Sequence, residues 1–359
     1  FMNLHLMAPI GFTGYGYASY NILSKLFNEH NVALTPIGQP NPENEEQAKL
    51  INASSNLVNM IPYDSPCLKI WHQFDLLTKV GSGRYIAFPF FEVDKFNQKE
   101  IHHLNFADEI IVSSEWATQI LEDNNINKTT HIVPMGVDTT VFNHTQKNET
   151  QNYVFMTVGK WEKRKAHDTI IECFNKAFTA KDDVELWLAT SNPFLNKEEE
   201  NQWLSLVEES PLRNKIKVFP RMQTHAHLAE LMSYSNCGIY ISRGEGWNLE
   251  LLETMAMNKP VIASNFSAHT EYCNSDNSFL IDIDEKELAV DNKWFFGNSQ
   301  WAKIGQNQID QTIEHMKHCY KKNIQTNEKG LETAEKLSWE NSARRLANAI
   351  QPAIADTLV

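Results

Sequence analysis

Short apolar runs, rich in Val, Ile and Leu, alternate along this chain with longer stretches whose apolar residues recur at helical spacing. That alternation predicts parallel α/β sheets with crossover helices. In the first half the runs predict strands at Asn3–Ala8, Val32–Thr35, Cys67–His72, Tyr85–Phe88, Glu109–Ser113 and Thr130–Val133. Helices fit at Tyr15–Glu29 and at Trp116–Asp123, the latter behind Ser113 and Ser114 as cap candidates. The pattern lapses in the polar stretch Asn143–Asn152, a candidate linker, and then restarts. Strands are expected at Tyr153–Val158, Val184–Ala189, Lys215–Phe219, Gly238–Ile241 and Val261–Ala263, with helices near His167–Phe178, Lys197–Glu208, Thr224–Ser233 and Leu249–Met257. Trp301–Ile350 reads as helical throughout. Two consecutive doubly wound domains follow, 1–145 and 151–335, with a last helix in 336–359. No period of repeat length recurs.

The length of 359 residues suits two domains of roughly 100–200 residues each. No apolar run approaches the ~18 residues of a membrane-spanning helix, so no integral membrane segment is expected. Phe1–Met7 lacks a basic start and a small-residue cleavage site, so no signal peptide is expected. The cysteines Cys67, Cys173, Cys237, Cys273 and Cys319 are odd in number, scattered and without a Cys-x-x-Cys. They read as reduced core thiols of a cytoplasmic protein, with neither disulfide framework nor zinc site. His102 and His103 stand without metal-ligand company, and no metal site is assigned.

The formal net charge is −13, and residues 1–145 alone carry 8 Lys and Arg against 15 Asp and Glu, a balance of −7. Nucleic acid and anionic membrane would be repelled over most of that surface. An anionic ligand therefore has to be met by a local positive cluster.

The stretch Ser242-Arg243-Gly244-Glu245-Gly246-Trp247-Asn248-Leu249-Glu250-Leu251-Leu252-Glu253 follows an apolar strand, turns through glycines and opens a helix at Asn248. Such a helix start presents backbone N–H groups and a positive dipole end, which favour a phosphate. Gly246 lets backbone approach a ligand with no Cβ between them. Glu253 lies one turn into the helix, within reach of a ribose attached to that phosphate. Glu245 sits before the turn, on the side where a sugar would lie. The plainer alternative is an amphipathic helix with solvated glutamates behind a glycine turn.

This run, continued through Thr254-Met255-Ala256-Met257-Asn258-Lys259-Pro260-Val261-Ile262, resembles the Glu-Gly-Phe-Gly-Leu-Pro-x-x-Glu-Ala-Met-Ala-x-Gly-x-Pro-Val-Ile signature of retaining glycosyltransferases of family 4, the glycosyl transferases group 1. The resemblance implies the GT-B fold: two facing Rossmann-like domains and a C-terminal helix crossing back to the first. It implies that Glu245 contacts the donor sugar, that Gly246, Trp247 and the Asn248 and Leu249 amides line the diphosphate, and that Glu253 binds the ribose. Asn248 stands where the signature has glycine, and Glu250 where it has proline.

Gly159-Lys160-Trp161-Glu162-Lys163-Arg164-Lys165, after the first strand of the second domain, resembles the Gly-Arg-x-x-x-x-Lys-Gly loop of the same family. It implies that Lys160 and Lys165 grip the diphosphate and stabilise the leaving group, with Arg164 an additional candidate. Lys160 replaces the usual Arg, a point charge in place of a bidentate fork. A solvated basic loop is the alternative.

Gly11-Phe12-Thr13-Gly14-Tyr15-Gly16 has Gly-x-x-Gly-x-Gly spacing, and no acid ends the next strand, which argues against a nicotinamide dinucleotide fold. It is similar to the family's first glycine loop, which makes Gly14 a donor-binding candidate; a tight turn explains it equally well. Ala107–Glu115, Ile132–Phe142 and Leu337–Glu340 also look like family segments and carry architecture only. On the acceptor side His72, ending a strand, and Glu92, after another, are candidates for the sugar and acceptor face, against a core histidine and a solvated acid.

The resemblance implies transfer of a sugar, with retained configuration, from a nucleoside-diphosphate sugar to a glycan or glycoconjugate in the interdomain cleft. It implies neither cofactor nor metal, and catalysis by Glu245, Lys160 and Lys165. Two other readings stay open: a scaffold that binds a nucleotide sugar without turnover, and a nucleotide-sugar epimerase.

Overall fold

The computed structural model describes residues 1–143 and 151–351; most of the candidate linker therefore lies outside the described residues. The chain divides into two compact units, the first comprising Phe1–Phe91, Lys95–Gly136 and the chain from Leu337 onward, the second Glu92–Asp94 and Val137–Lys336.

In chain order the first unit runs β1 (Asn3–Ala8), α1 (Gly14–Phe27), β2 (Asn31–Pro36), α2 (Glu45–Asn56), β3 (Cys67–Lys69), β4 (Tyr85–Ala87), α3 (Gln98–Phe106), β5 (Glu109–Val112), α4 (Glu115–Asp123) and β6 (Thr129–Ile132). All strand pairs are parallel, in the order β2-β1-β3-β4-β5-β6. The inner strand β1 buries Leu4, Leu6 and Ala8 completely. Helices cover both faces of such a sheet, so its inner strands read as nearly unbroken apolar runs. Ser114 caps α4 by accepting from the Ala117 amide at 3.1 Å, as its place before the helix predicts.

The second unit runs β7 (Tyr153–Val158), α5 (His167–Ala177), β8 (Val184–Ala189), α6 (Lys197–Glu208), β9 (Ile216–Val218), α7 (His225–Ser233), β10 (Cys237–Tyr240), α8 (Leu249–Ala256), β11 (Val261–Ser264), β12 (Phe279–Ile281), β13 (Lys286–Val290), β14 (Phe296–Ala302), α9 (Gln306–Lys321) and α10 (Glu328–Lys336). Its parallel sheet has the order β12-β11-β10-β7-β8-β9, while β13 and β14 form a separate antiparallel pair. Every residue of β7 is buried.

The last helix, α11 (Trp339–Ile350), returns to the first unit. Ser342 Oγ donates to the Pro134 carbonyl at 2.7 Å, and Lys25 pairs with Glu340 at 2.6 Å. Gly136 is glycine because a Cβ there would run into the Trp339 amide.

One reading of the pattern is corrected, and several elements lie beyond what it singled out. Trp301–Ile350 is not helical throughout, since Trp301 and Ala302 end strand β14. The strands β13 and β14 escape the pattern because the hairpin mixes charge and glycine into its strands, KELAV and FGNSQWA; β12, only three residues long, adds an edge strand beside β11. Helix α2 escapes because it is polar, burying only Ile51 and Ser54. The five cysteines are free and buried.

Candidate functional site

In the second sheet the chain winds outward from β7 through β8 to β9, then crosses back to place β10 on the other side of β7. Ligands of open α/β sheets bind where the winding direction reverses, outside the carboxyl ends of the two strands. Here those ends open into the loop 159–166 and the loop 242–248, the two stretches that carry the sequence motifs.

The first loop leaves β7 at Gly159, whose φ of 141° suits glycine, and enters α5 through Ala166, held in the left-handed region at φ 58°. A Cβ on Gly159 would meet the Lys165 side chain at 2.7 Å, so the glycine leaves room for that lysine. The second loop leaves β10 at Ile241. The Arg243 amide donates to the Arg164 carbonyl at 2.7 Å, which ties the loops together.

Their side chains meet around Glu245. Lys165 Nζ lies 3.0 Å from Glu245 Oε1, and Arg164 Nη1 lies 2.8 Å from Glu245 Oε2. Arg164 also pairs with Glu162 at 2.8 Å and donates to the Gly244 carbonyl at 2.7 Å. Lys160 pairs with Glu162 at 3.3 Å and stands over the Phe194 ring, 5.1 Å from its centre. Ser242 Oγ donates to Glu245 Oε1 at 2.7 Å, and the Glu245 amide donates to Ser267 Oγ at 2.9 Å. Burial alone would raise the Glu245 carboxyl; Arg164 and Lys165 outweigh it and hold the group well below the usual carboxylate range. Burial would likewise lower Lys165, but Glu245 outweighs it and keeps the ammonium charged.

The three cations expected to meet an anion are thus already engaged by two glutamates. Buried charges are tolerable only when paired and hydrogen-bonded, and this network supplies the pairing. Glu92 belongs to the same unit. A Cβ on Gly244 would run into its carbonyl, so backbone meets backbone there. Burial raises the Glu92 carboxyl; Arg164 opposes that shift and Glu245 adds to it.

Beyond Glu245 the chain passes Gly246 and buried Trp247, whose ring packs on Tyr272 at 4.6 Å. Asn248 then opens α8 with φ 79°, a left-handed conformation that glycine or asparagine adopts at least cost. Its Oδ1 accepts from the Leu251 amide at 3.3 Å, and its Nδ2 meets His269 Nε2 at 2.9 Å. The Asn248 side chain is therefore turned into the helix start and onto His269. Leu249 is the first helical residue, and Glu253 lies one turn along, 3% exposed. Burial lowers the His269 pKa, with Glu245 partly opposing.

The remaining candidates, Gly14 and His72, lie in the first unit. Its strand order reverses between β1 and β3, and Gly14, opening α1, and His72, just past β3, come from the chain beyond those strand ends. The Tyr15 ring meets His72 at 4.6 Å and Trp71 at 5.6 Å, while its hydroxyl accepts from the Phe90 amide at 2.8 Å. A Cβ on Gly14 would have nothing within 4 Å, whereas one on Gly16 would strike Gly11 backbone at 2.5 Å. Gly16 serves packing; Gly14 has no packing role of that kind.

Sequence reasoning passed over Glu162, Ser242, Ser267 and His269. An acid inside a basic run was the available signal for Glu162. Ser242 stands in the same turn, three residues before Glu245; Ser267 and His269 join the site only through folding, and no local spacing marks them.

The two parallel sheets with these connections are the GT-B fold. Residues 152–292 match the family model described as Glycosyl transferases group 1, the group whose motifs the two loops resemble. Among solved structures the chain is similar to sucrose-phosphate synthase from Thermosynechococcus elongatus, at 14% identity and TM-score 0.69 over 97% of this chain and 98% of that one. Anabaena HepE, solved in complex with UDP-glucose, matches at 13% identity and TM-score 0.70 over 98% and 99%. A glycosyltransferase from Rickettsia africae ESF-5 matches at 13% and 0.70 over 97% and 98%. At such identities the likeness is one of fold. No curated protein matches the chain in sequence.

Proposed function

We propose that this chain is a retaining glycosyltransferase of the family 4 type, moving a hexosyl unit from a nucleoside-diphosphate sugar to a glycan or glycoconjugate. The observation that carries the reading is the meeting of Lys160, Arg164, Lys165 and Glu245 at the reversal point beside the start of α8. A diphosphate there would face fixed cations and backbone N–H groups, with Glu253 one turn away for a ribose. HepE, of like fold, was solved with UDP-glucose bound, which suits such a ligand.

In the reaction the bond from the anomeric carbon to the diphosphate oxygen breaks and a bond to the acceptor oxygen forms on the same face. The acceptor proton passes to the departing phosphate. Lys165, Arg164 and Lys160 would stabilise the charge that develops on the leaving group, so the step needs neither protein nucleophile nor metal ion. Gly14 is assigned to the donor, and His72 and Glu92 to the sugar and acceptor face. A cytoplasmic setting would keep the free thiols reduced.

The engagement of the cations by Glu162 and Glu245, with Glu250 in the first turn of α8, favours a second reading, a scaffold that binds a nucleotide sugar without transfer. Thermal unfolding with UDP, GDP, ADP and CMP, then with their sugars, separates the two. A ligand at ten times its dissociation constant adds about 1.4 kcal/mol. Stabilisation by one nucleotide, lost in Glu253→Ala and accompanied by sugar transfer or slow donor hydrolysis, supports the enzyme. Stabilisation without turnover supports the scaffold, and no response to any nucleotide sinks both.

A further inference from the structure

Beside the charged cluster the second unit exposes aromatic rings that the proposed transfer does not use. Trp294, in the turn between β13 and β14, and Phe194, after β8, are each 51% exposed, and their rings meet edge to face at 5.8 Å and 87°. Exposed aromatic surface is unfavourable in water, and here it is held rigidly. Asp291 Oδ1 accepts from the amides of Lys293, Trp294 and Phe295 at 2.8–2.9 Å. Lys293 Nζ reaches both oxygens of Glu199, on α6, at 2.9 Å. On the other side the Phe194 amide donates to Asn192 Oδ1 at 3.0 Å, and Asn192 Nδ2 donates to the Trp161 carbonyl at 2.9 Å. Rigid aromatic anchors give contact area at small entropic cost, a property of binding surfaces.

We propose that Trp294 and Phe194 form a stacking platform for a neutral saccharide unit of the acceptor, a subsite that deepens the transferase reading and rests on it. Three observations select this occupant. A pyranose has an apolar C–H face for an aromatic ring and a hydroxyl rim, and Lys160, Lys293, Glu199 and Asn192 surround the rings with groups that meet hydroxyls. Lys160 stands over Phe194 while pairing with Glu162, which pairs with Arg164, so the platform is continuous with the charged cluster. Residues 285–303 carry three lysines against three acids, in a chain of net charge −13, which gives an anionic membrane surface no purchase.

The test measures binding of neutral tetrasaccharides (maltotetraose, cellotetraose, mannotetraose and chitotetraose) to the whole chain by calorimetry and tryptophan fluorescence. The expected result is binding of at least one, weakened about tenfold or more in Trp294→Ala and in Phe194→Ala and kept in Trp294→Phe. The nucleotide responses should be the same in the parent chain and the Trp294 variants. Once an acceptor is in hand, its KM should rise in Trp294→Ala with kcat maintained. Equal saccharide affinity in Trp294→Ala, or no saccharide binding by the parent chain, overturns the platform. So does binding to phosphatidylcholine vesicles, or a concentration-dependent dimer, that Trp294→Ala abolishes, since the rings would then serve a membrane or a second copy. Saccharide binding with no nucleotide response overturns the transferase reading alone; a nucleotide response without saccharide binding overturns the platform alone.

Discussion

Lys165 Nζ rests 3.0 Å from Glu245 Oε1, joining loops eighty residues apart in sequence. Each charge is buried, so each needs the other, yet they are not equally dependent. Glu245 retains Arg164 and Ser242 when Lys165 is removed. Lys165→Ala is therefore expected to lower transfer by about a hundredfold or more, as removal of a charge-stabilising donor does. Its stability should fall only modestly. Arg164→Ala leaves the Gly244 carbonyl without this donor and takes a buried partner from two carboxylates, and should destabilise by roughly 3–5 kcal/mol. Denaturant unfolding beside a donor-turnover assay checks the order; equal stability losses would refute it.

Gly14 and Gly16 offer a contrast within three residues. Gly14→Ala has open space around the new methyl and should leave the unfolding temperature unchanged. Any loss of nucleotide response in that variant then reports a ligand contact. Gly16→Ala drives a Cβ into Gly11 backbone and should lower stability by roughly 1–3 kcal/mol. Thermal unfolding of both variants, with and without the active nucleotide, is the measurement.

Asn248 combines a left-handed backbone with a helix cap. Asn248→Ala loses the cap, at about 1 kcal/mol, and meets the left-handed region with a less tolerant residue, at about 1 kcal/mol more. Asn248→Gly frees the backbone, and should cost the fold less. It also leaves His269 Nε2 without its 2.9 Å partner. Unfolding curves ranking the parent above glycine and glycine above alanine would bear this out.

Acid should loosen the second unit through His167. Burial pushes its pKa down to about 3, and Lys165 adds to the shift. An unfolded chain titrates that imidazole near 6.5, so below that pH the unfolded state binds a proton that the folded state refuses. Stability is complete above pH 6.5 and falls by about 1.4 kcal/mol per unit as pH drops toward 3. His269 is lowered as well and contributes in the same direction. His167→Asn, whose amide oxygen can still accept from the Glu162 amide, should flatten the slope between pH 6.5 and 5. An unchanged slope would assign the acid sensitivity elsewhere.

The buried strands were the most legible part of the sequence. Asn3–Ala8, Tyr153–Val158 and Val184–Ala189 stand as the apolar runs predict, because a strand covered on both faces has no polar alternation to blur its ends. The hairpin was illegible for the opposite reason: Leu288 and Phe296 lie on its exposed surface, and burial never shaped its pattern. In the site, the glycine turns and the basic loop were visible as spacing. That the loop's cations would turn onto Glu245, eighty residues on, was not, since the pairing depends on the strand order that sets β10 beside β7. The Asn248 substitution read as a departure from glycine; its φ of 79° is one that glycine and asparagine both adopt at low cost.

Glu92–Asp94 lies far from the second unit in sequence and yet belongs to it. Asp94 accepts from the Gln300 amide at 2.8 Å and pairs with Lys286 at 2.6 Å, so the segment is built onto the hairpin. The Glu92 backbone lies against Gly244. The protein therefore has no single point at which it comes apart. A fragment beginning at Val137 would lack an acid from beside its cation cluster and would have an open seam along its hairpin. Any comparison of the isolated halves with the whole would measure that missing piece as well as the separation.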